Sequence, residues 1–227
     1  MSLFQSAKAP CPQCGTPHEF EIVASVNADR RPDLRAAILD GSFQRERCAK
    51  CKAEFVAPPT LTYFEVSRGW WILAEPAGFD QKWKQAAEIA RESFDKAYGA
   101  NAAGAARAIG AALKVRVVFG WPALREKLLC SDLKLDDVEL ELLKMAIVRG
   151  SQNSPIGDDN ELRLVGAQGK DLSFAWIEAA TERSIATLQV PRATYEEIAH
   201  DRKQWQALRE EIASEPFVDM NRLLLAD

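Results

Sequence analysis

Apolar and polar residues alternate along the first third of the chain, which is the spacing typical of half-buried β-strands. Residues 19–27, with the sequence EFEIVASVN, show this alternation most clearly and predict a strand. A short helix is predicted over residues 31–39, and Asp40-Gly41 ends it because glycine suits a left-handed cap. Four further strands are predicted in this third, at residues 43–47, 53–56, 61–66 and 70–73.

The hydrophobic period changes after Asp80, a plausible N-cap, where apolar residues begin to recur at steps of three and four. The run from Trp83 to Tyr98 therefore predicts an amphipathic helix with a large apolar face. The other elements predicted in this middle third are a helix at residues 101–113, a strand at 115–119, and helices at 122–129 and 136–150.

The last third of the chain returns to alternation. Strands are predicted at residues 162–165, 172–179 and 184–190, and the short turns between them favour an antiparallel meander. Residues 151–160 are polar and predict a surface loop before the first of these strands. A final helix, capped by Thr194, is predicted to carry its apolar side chains through to Ile212.

Composition is that of an ordinary globular protein and excludes several classes. The 227 residues are 47% apolar and 27% charged, and 29 basic against 33 acidic residues leave a formal charge of −4. This balance argues against a protein that coats nucleic acid or an acidic membrane by bulk charge. We recognise no transmembrane run and no signal peptide, so the expected location is the cytoplasm, without a membrane partner.

Four of the five cysteines form two C-x-x-C pairs, Cys11 with Cys14 and Cys48 with Cys51, separated by 33 residues. In a reducing cytoplasm such pairs are more often metal ligands than disulfides. Two residues between cysteines let both thiolates turn toward one point, and four thiolates form the tetrahedral set that Zn²⁺ favours. The sequence therefore predicts one structural zinc ion per chain, with core cysteines or a redox dithiol as the alternatives.

With this site, the chain is predicted to be an α+β protein. Its zinc-ribbon-like antiparallel β module is followed by helices and a small antiparallel β-meander. The predicted domains are the module at residues 1–78, a helical connector at 79–150, and the meander with a C-terminal helix at 151–227. Whether the last part is a separate domain is left open.

Other residues that could take part in catalysis or binding have simpler structural interpretations. Cys130 is predicted to be a buried core residue, although a nucleophile paired with His200 is the alternative. The carboxylates of Asp136-Asp137 are predicted to start a helix, where they bond free amides and favour the helix dipole. Trp70-Trp71 lies on a strand, so one ring is expected to be buried and the other exposed or facing another domain.

Several segments resemble the CpXC family of bacterial and archaeal proteins, beginning with CPQC at residues 11–14. The other matching segments are SVNAD at 25–29, PDLR at 32–35, ILDG at 38–41, Phe43, PTLTYF at 59–64, LREK at 124–127 and LDDVEL at 135–140. The resemblance covers about residues 8–150 and implies a zinc-binding module. The second pair departs from the family pattern, with Ala49 where proline is frequent and Lys52 where glycine is common. Glycine after the second cysteine eases a positive φ.

The leading functional hypothesis is a zinc-stabilised, non-catalytic interaction protein that binds a protein partner, because a closed four-sulfur site does not activate water. The first alternative is nucleic-acid binding, in which arginines near the second cysteine pair contact phosphates. These are Arg30, Arg31, Arg45 and Arg47, although interleaved acidic residues favour a solvated mixed-charge face. The second alternative is an enzyme with its site between the ribbon and the C-terminal half. A homo-oligomer is left open.

Overall fold

The computed structural model describes residues 3–151, 160–179, 181–201 and 203–225, and it confirms the predicted α+β class. Most of the predicted polar loop at residues 151–160 lies outside this described part. The strands are β1 (Leu3–Pro10), β2 (Pro17–Asn27), β3 (Arg45–Arg47), β4 (Glu54–Val56), β5 (Leu61–Glu65), β6 (Trp70–Glu75), β7 (Lys114–Phe119), β8 (Asn160–Gln168), β9 (Asp171–Glu178) and β10 (Arg183–Pro191).

The helices follow the predicted order closely. They are α1 (Pro32–Asp40), α2 (Trp83–Tyr98), α3 (Gly104–Gly110), α4 (Gly120–Asp132), α5 (Asp137–Gly150), α6 (Arg192–His200) and α7 (Gln206–Ala213). Among the described helices, none combines the length and the apolar character that crossing a membrane requires.

The N-terminal sheet has five strands in the spatial order β1-β2-β5-β6-β7. The pairs β1–β2 and β5–β6 are antiparallel, whereas β2–β5 and β6–β7 are parallel. The sheet is therefore mixed, unlike the purely antiparallel module that was predicted. Parallel neighbouring strands need a crossover connection. Helix α1 and the β3–β4 hairpin form the crossover from β2 to β5, and helices α2 and α3 form the one from β6 to β7. The division into three domains stays a prediction.

Both faces of this sheet are covered, and the paired tryptophans show it. Trp70 packs with α1 and α4 on one face, and Trp71 packs with α2 on the other. Each ring is 4% exposed. The two rings lie on opposite faces of the sheet, as strand alternation predicts. The ring of Trp71, on the face away from α1, is covered by α2 from the predicted connector.

The predicted meander is confirmed as a three-stranded antiparallel sheet in the order β10-β9-β8. Its inner face packs on α5, α6 and α7 in a core of its own. The single final helix that was predicted is wrong, because α6 ends at His200 and α7 begins at Gln206. Asp201 lies in this break, and its carboxylate accepts a hydrogen bond from the backbone N–H of Gln204.

Candidate metal centre

The first cysteine pair lies in the turn between β1 and β2. The N–H of Cys11 donates to the carbonyl of Thr16 at 2.9 Å, and the N–H of Gly15 donates to the carbonyl of Cys11 at 2.8 Å. Gly15 has a φ of 67°, in the left-handed region that glycine adopts without strain. These bonds fold the C-x-x-C segment into a knuckle with both sulfurs on its inner side.

The second pair occupies the turn between β3 and β4 and repeats the same hydrogen bonds. The N–H of Cys48 donates to Ala53 at 2.8 Å, and the N–H of Lys52 donates to Cys48 at 3.0 Å. Lys52 has a φ of 64°, the positive value expected at this position. Its side chain folds back, so that Nζ donates to the carbonyl of Ala49 at 2.8 Å. The knuckle therefore forms without glycine.

The two knuckles face each other and bring the four predicted ligands together. The Sγ atoms of Cys11 and Cys51 are 3.7 Å apart, as are those of Cys14 and Cys48, and all four sulfurs lie within 4.8 Å of one another. A tetrahedron with Zn–S bonds of about 2.3 Å has edges of about 3.8 Å. Each close pair joins one knuckle to the other, and no disulfide links the four cysteines. The cluster is able to hold a metal ion.

Local hydrogen bonds favour the thiolate form at two of the ligands. The hydroxyl and backbone of Thr16 lower the pKa of Cys14 to about 6. The backbone N–H groups of the second knuckle, that of Cys51 first, lower the pKa of Cys48. At Cys51 a backbone bond from Ala53 acts in the same direction, but desolvation and its sulfur neighbours outweigh it and raise the pKa to about 11. A bound cation would favour the thiolate form at the remaining ligands as well.

The site lies at the protein surface, yet two of its ligands are shielded. Cys11 and Cys48 are buried, whereas Cys51 is exposed. Behind the sulfurs, the rings of Phe20 and Phe55 meet edge to face with centroids 6.3 Å apart, which attaches β4 to β2. An aromatic contact and the cysteine cluster therefore both join the two hairpins.

The remaining sequence candidates fall outside this centre. Cys130 is fully buried in the C-terminal core, and burial raises the pKa of its thiol well above the usual value. Because the nucleophilic form is the thiolate, this environment does not suit a catalytic cysteine. His200 is exposed at the end of α6, where its ring contacts the carbonyl of Glu196.

The arginines considered for nucleic-acid binding are largely engaged with neighbouring groups. Arg31 pairs with Asp33 at 2.6 Å, and Arg45 lies 4.0 Å from Glu54. Arg47 donates to the carbonyl of Lys52. This is a mixed-charge face of the kind the interleaved acidic residues predict.

A second cluster, which sequence reasoning missed, lies between α4, α5 and β8. Asp136 caps α5 as predicted, since its carboxylate accepts from the N–H groups of Val138 and Glu139. Asp137 instead is fully buried and bonds Arg116 at 2.7 Å and Lys127 at 3.2 Å. The other buried charged residues of this network are Glu126, Glu141, Lys144, Arg163 and Asp219.

Three carboxylates of this network, those of Glu126, Glu141 and Asp219, also lie within 4.8 Å of one another. The ammonium of Lys144 is 3.0 Å from Glu126 and 2.9 Å from Glu141. Arg163 reaches Glu126 at 3.0 Å and Asp219 at 2.5 Å. The protein therefore supplies its own cations here. The sequence signal was weak, because charged residues on a helix usually mark its solvent face.

Fold and site together define an α+β protein with a four-cysteine module able to hold a metal ion. The family model for CpXC proteins matches residues 9–144, which is more than half of the chain. The chain therefore belongs to the CpXC family, as the resemblance implied. Comparisons with curated proteins and with solved structures found no match.

Proposed function

We propose that the four cysteines bind one Zn²⁺ ion that staples the two hairpins, and that the protein is a non-catalytic interaction protein for a protein partner. The sulfur geometry carries the metal proposal, because both short distances of 3.7 Å match a tetrahedral edge. An all-sulfur tetrahedral site selects zinc or iron among common metals. Four protein ligands leave no open position for water or substrate, which supports a structural role.

Surface features support the partner-binding part of the proposal. Strand β1 lies at the edge of the N-terminal sheet and pairs only with β2 among the described strands. Leu3 is 55% exposed and Phe4 is 44% exposed on this edge strand. Open strand edges and exposed apolar side chains are features that interaction surfaces share. With eight basic and seven acidic residues in the first 60 positions, the zinc-bound module is close to neutral, which disfavours phosphate binding.

Metal analysis of the purified full chain tests the zinc proposal. We expect one zinc per chain in the wild type and loss of zinc in Cys48→Ser, which removes a buried ligand. Cys130→Ser is the matched control, since it removes a cysteine outside the cluster and should keep zinc. Stoichiometric iron, or a disulfide between the pairs with no metal, would contradict the proposal.

Affinity capture from nuclease-treated lysate of the source cells tests partner binding. We expect the zinc-loaded wild type to retain a specific protein, and Phe4→Asp to lose it because a charge on the edge strand opposes docking. A matched change on the exposed face of α2, Ile89→Asp, should retain the protein. A protein that is retained from untreated lysate but not from nuclease-treated lysate would favour the nucleic-acid alternative.

One observation favours the enzyme alternative. A cleft of about 780 Å³ lies between the cysteine-bearing β3–β4 hairpin and the C-terminal meander, where that alternative placed its site. Its size is within the range of small-molecule sites. Turnover of a substrate that binds there would replace the non-catalytic proposal.

A further inference from the structure

The cleft is lined chiefly by four parts of the chain. These are the β3–β4 hairpin with the loop that follows it, the loop that follows β6, the first turns of α4, and the turn between β9 and β10; Gly41 after α1 and Glu161 of β8 also line it. None of the cysteines lines it. The cleft is therefore a site distinct from the metal centre, although one of its walls is the hairpin that carries Cys48 and Cys51.

Carboxylates outnumber positive groups around the cleft. Among the residues that the structure describes, four acidic side chains line it, against two arginines and no lysine; the acidic residues are Glu54, Asp80, Glu161 and Glu182, and the arginines are Arg45 and Arg125. An anionic ligand would have to approach this excess of negative charge, so the cleft is suited to a cation.

Both arginines are already used by the protein. Arg125 donates through Nε to the carbonyl of Ile38 at 2.9 Å, and its Nη1 lies 3.4 Å from Glu182. Arg45 donates to the carbonyl of Gly41 at 3.1 Å and lies 4.0 Å from Glu54. The guanidinium groups thus hold the cleft together, and neither presents a free fork for a carboxylate or phosphate.

The four carboxylates of the cleft differ in how far nearby positive charges neutralise them. Glu161 is held by Arg163 through two short bonds of 2.7 and 2.9 Å. Asp80 has no ion-pair partner in the part of the chain that the structure describes. Burial raises the pKa of Glu182 despite the nearby charge of Arg125, so Arg125 does not fully compensate this carboxylate.

The backbone fixes Glu182 at the cleft. Its φ is 56°, in the left-handed region that non-glycine residues rarely adopt. Its N–H donates to the carbonyl of Glu178 at 2.8 Å, which closes the turn between β9 and β10. Non-glycine residues in this conformation cluster at functional sites, where the surrounding structure maintains them.

Apolar surface lies beside these charges. Val56, Pro59 and Ala77 line the cleft together with the indole of Trp121, whose N–H already donates to the carbonyl of Ala57 at 2.9 Å. Because the Trp121 ring is almost fully buried, the apolar surface open to a ligand comes from its half-buried neighbours, such as Val56 and Ala77. An alkyl chain of a few carbons finds its complement here.

We infer that this cleft binds an aliphatic cation, an ammonium or guanidinium group on an apolar stem, whose charge is met chiefly by Asp80 and Glu182. This inference goes beyond the proposed function, since it concerns a site away from the cysteines. The same chemistry occurs in a lysine or arginine side chain of another protein and in a free alkylamine. The experiment separates these two sources.

The test is a titration of the full, metal-loaded chain followed by two-dimensional ¹H–¹⁵N NMR. The probes are n-butylammonium, the neutral isostere n-butanol, the anion butyrate, and lysine blocked as its acetyl N-methylamide. The reporters are the indole N–H of Trp121 and the amide of Gly78, both of which line the cleft. We expect both cationic probes to shift these signals, and n-butanol and butyrate to leave them in place.

Two variants locate the charge that is recognised. Asp80→Asn and Glu182→Gln keep side-chain volume and are each expected to weaken binding of the cation about tenfold. Glu88→Gln, which removes an exposed carboxylate of α2 outside the cleft, is the matched control and should change nothing. A thermal melt of each variant verifies that the fold is retained.

Every outcome of the titration decides the inference. Tighter binding of blocked lysine assigns the site to a protein side chain, and tighter binding of n-butylammonium assigns it to a free amine. Equal shifts with n-butanol, stronger shifts with butyrate, or no shift with either cation would overturn the inference. None of these results affects the zinc proposal or the docking role of β1, which have their own tests.

Discussion

The four cysteines and the three carboxylates of Glu126, Glu141 and Asp219 both bring their ligand atoms within 4.8 Å of one another. They differ in what lies between the ligands. Lys144 and Arg163 reach into the carboxylate group and bond its oxygens. The groups that hydrogen-bond the cysteine sulfurs are uncharged, and they include Thr16, Gln13 and backbone amides.

The comparison shows that ligand geometry alone does not define a metal site. A cluster of anionic ligands attracts an ion when the protein leaves its charge unbalanced, and it acts as a structural ion-pair network when lysine and arginine supply the balance. The positions of the two clusters in the protein agree with this difference in charge balance. The cysteines lie at hairpin tips near solvent, where an ion can enter, whereas the carboxylates lie in a sealed layer between α4, α5 and β8.

Removal of the Lys144 ammonium from the carboxylate cluster is expected to have the largest effect on stability. Lys144→Met keeps most of the side-chain volume but leaves Glu126 and Glu141 without their shared ammonium. We expect a loss of about 3–5 kcal/mol in the free energy of unfolding, since breaking a buried ion pair leaves an uncompensated charge. Chemical denaturation measures this loss. Lys96→Met, on the exposed face of α2, is the control and should change stability by less than about 0.5 kcal/mol.

The same variant tests whether Lys144 substitutes for a metal ion. Calcium is expected to restore part of the lost stability in Lys144→Met, because the carboxylates of Glu126 and Glu141 then lack their shared ammonium and offer oxygen ligands to a hard cation, while Arg163 still holds Asp219. Calcium should leave the wild-type protein unchanged. If Lys144→Met were as stable as the wild type, or if calcium stabilised both proteins equally, the contrast drawn here would be wrong.

Acid should weaken the ion network through Asp137. Burial alone raises the pKa of Asp137, but the charges of Lys127 and Arg116 outweigh it and hold the pKa below the ordinary value of 3.8. The folded state therefore binds this proton less readily than the unfolded chain. The stabilisation is fully present above about pH 4 and is lost as the pH falls further.

Asp137→Asn provides the measurement. The stability difference between wild type and variant should be largest near neutral pH and should narrow as the pH falls below about 4. Unfolding free energies of both proteins across this range test it. Metal release in acid affects both proteins alike, so their difference isolates Asp137. A difference that stays constant with pH would show that Asp137 contributes packing rather than charge.

The sequence predicted the cysteine centre well because its chemistry is local. Two residues between cysteines determine each knuckle, and the strands between the pairs need only return the chain. The ion network was not predictable in this way, since Glu126, Lys144 and Arg163 come from three separate elements. Strand β1 was not predicted from the sequence. It lies at the edge of the sheet, where successive side chains such as those of Phe4 and Gln5 are exposed on both faces of the strand, so no buried apolar stripe forms.

The smallest expected effect distinguishes the two knuckles of the metal centre. Gly15 and Lys52 occupy equivalent positions with φ values of 67° and 64°. A side chain at Gly15 meets no atom within 4 Å, so Gly15→Ala introduces backbone strain alone and should cost about 1 kcal/mol. Lys52→Gly removes the same strain and should stabilise the zinc-bound protein by less than that, since the exposed bond from Nζ to Ala49 is lost. Thermal denaturation is therefore expected to show a lower melting temperature for Gly15→Ala and a higher one for Lys52→Gly. This result would show that the two knuckles have the same backbone conformation and that Lys52 carries the strain that Gly15 avoids. A change of the same sign in both variants would contradict it.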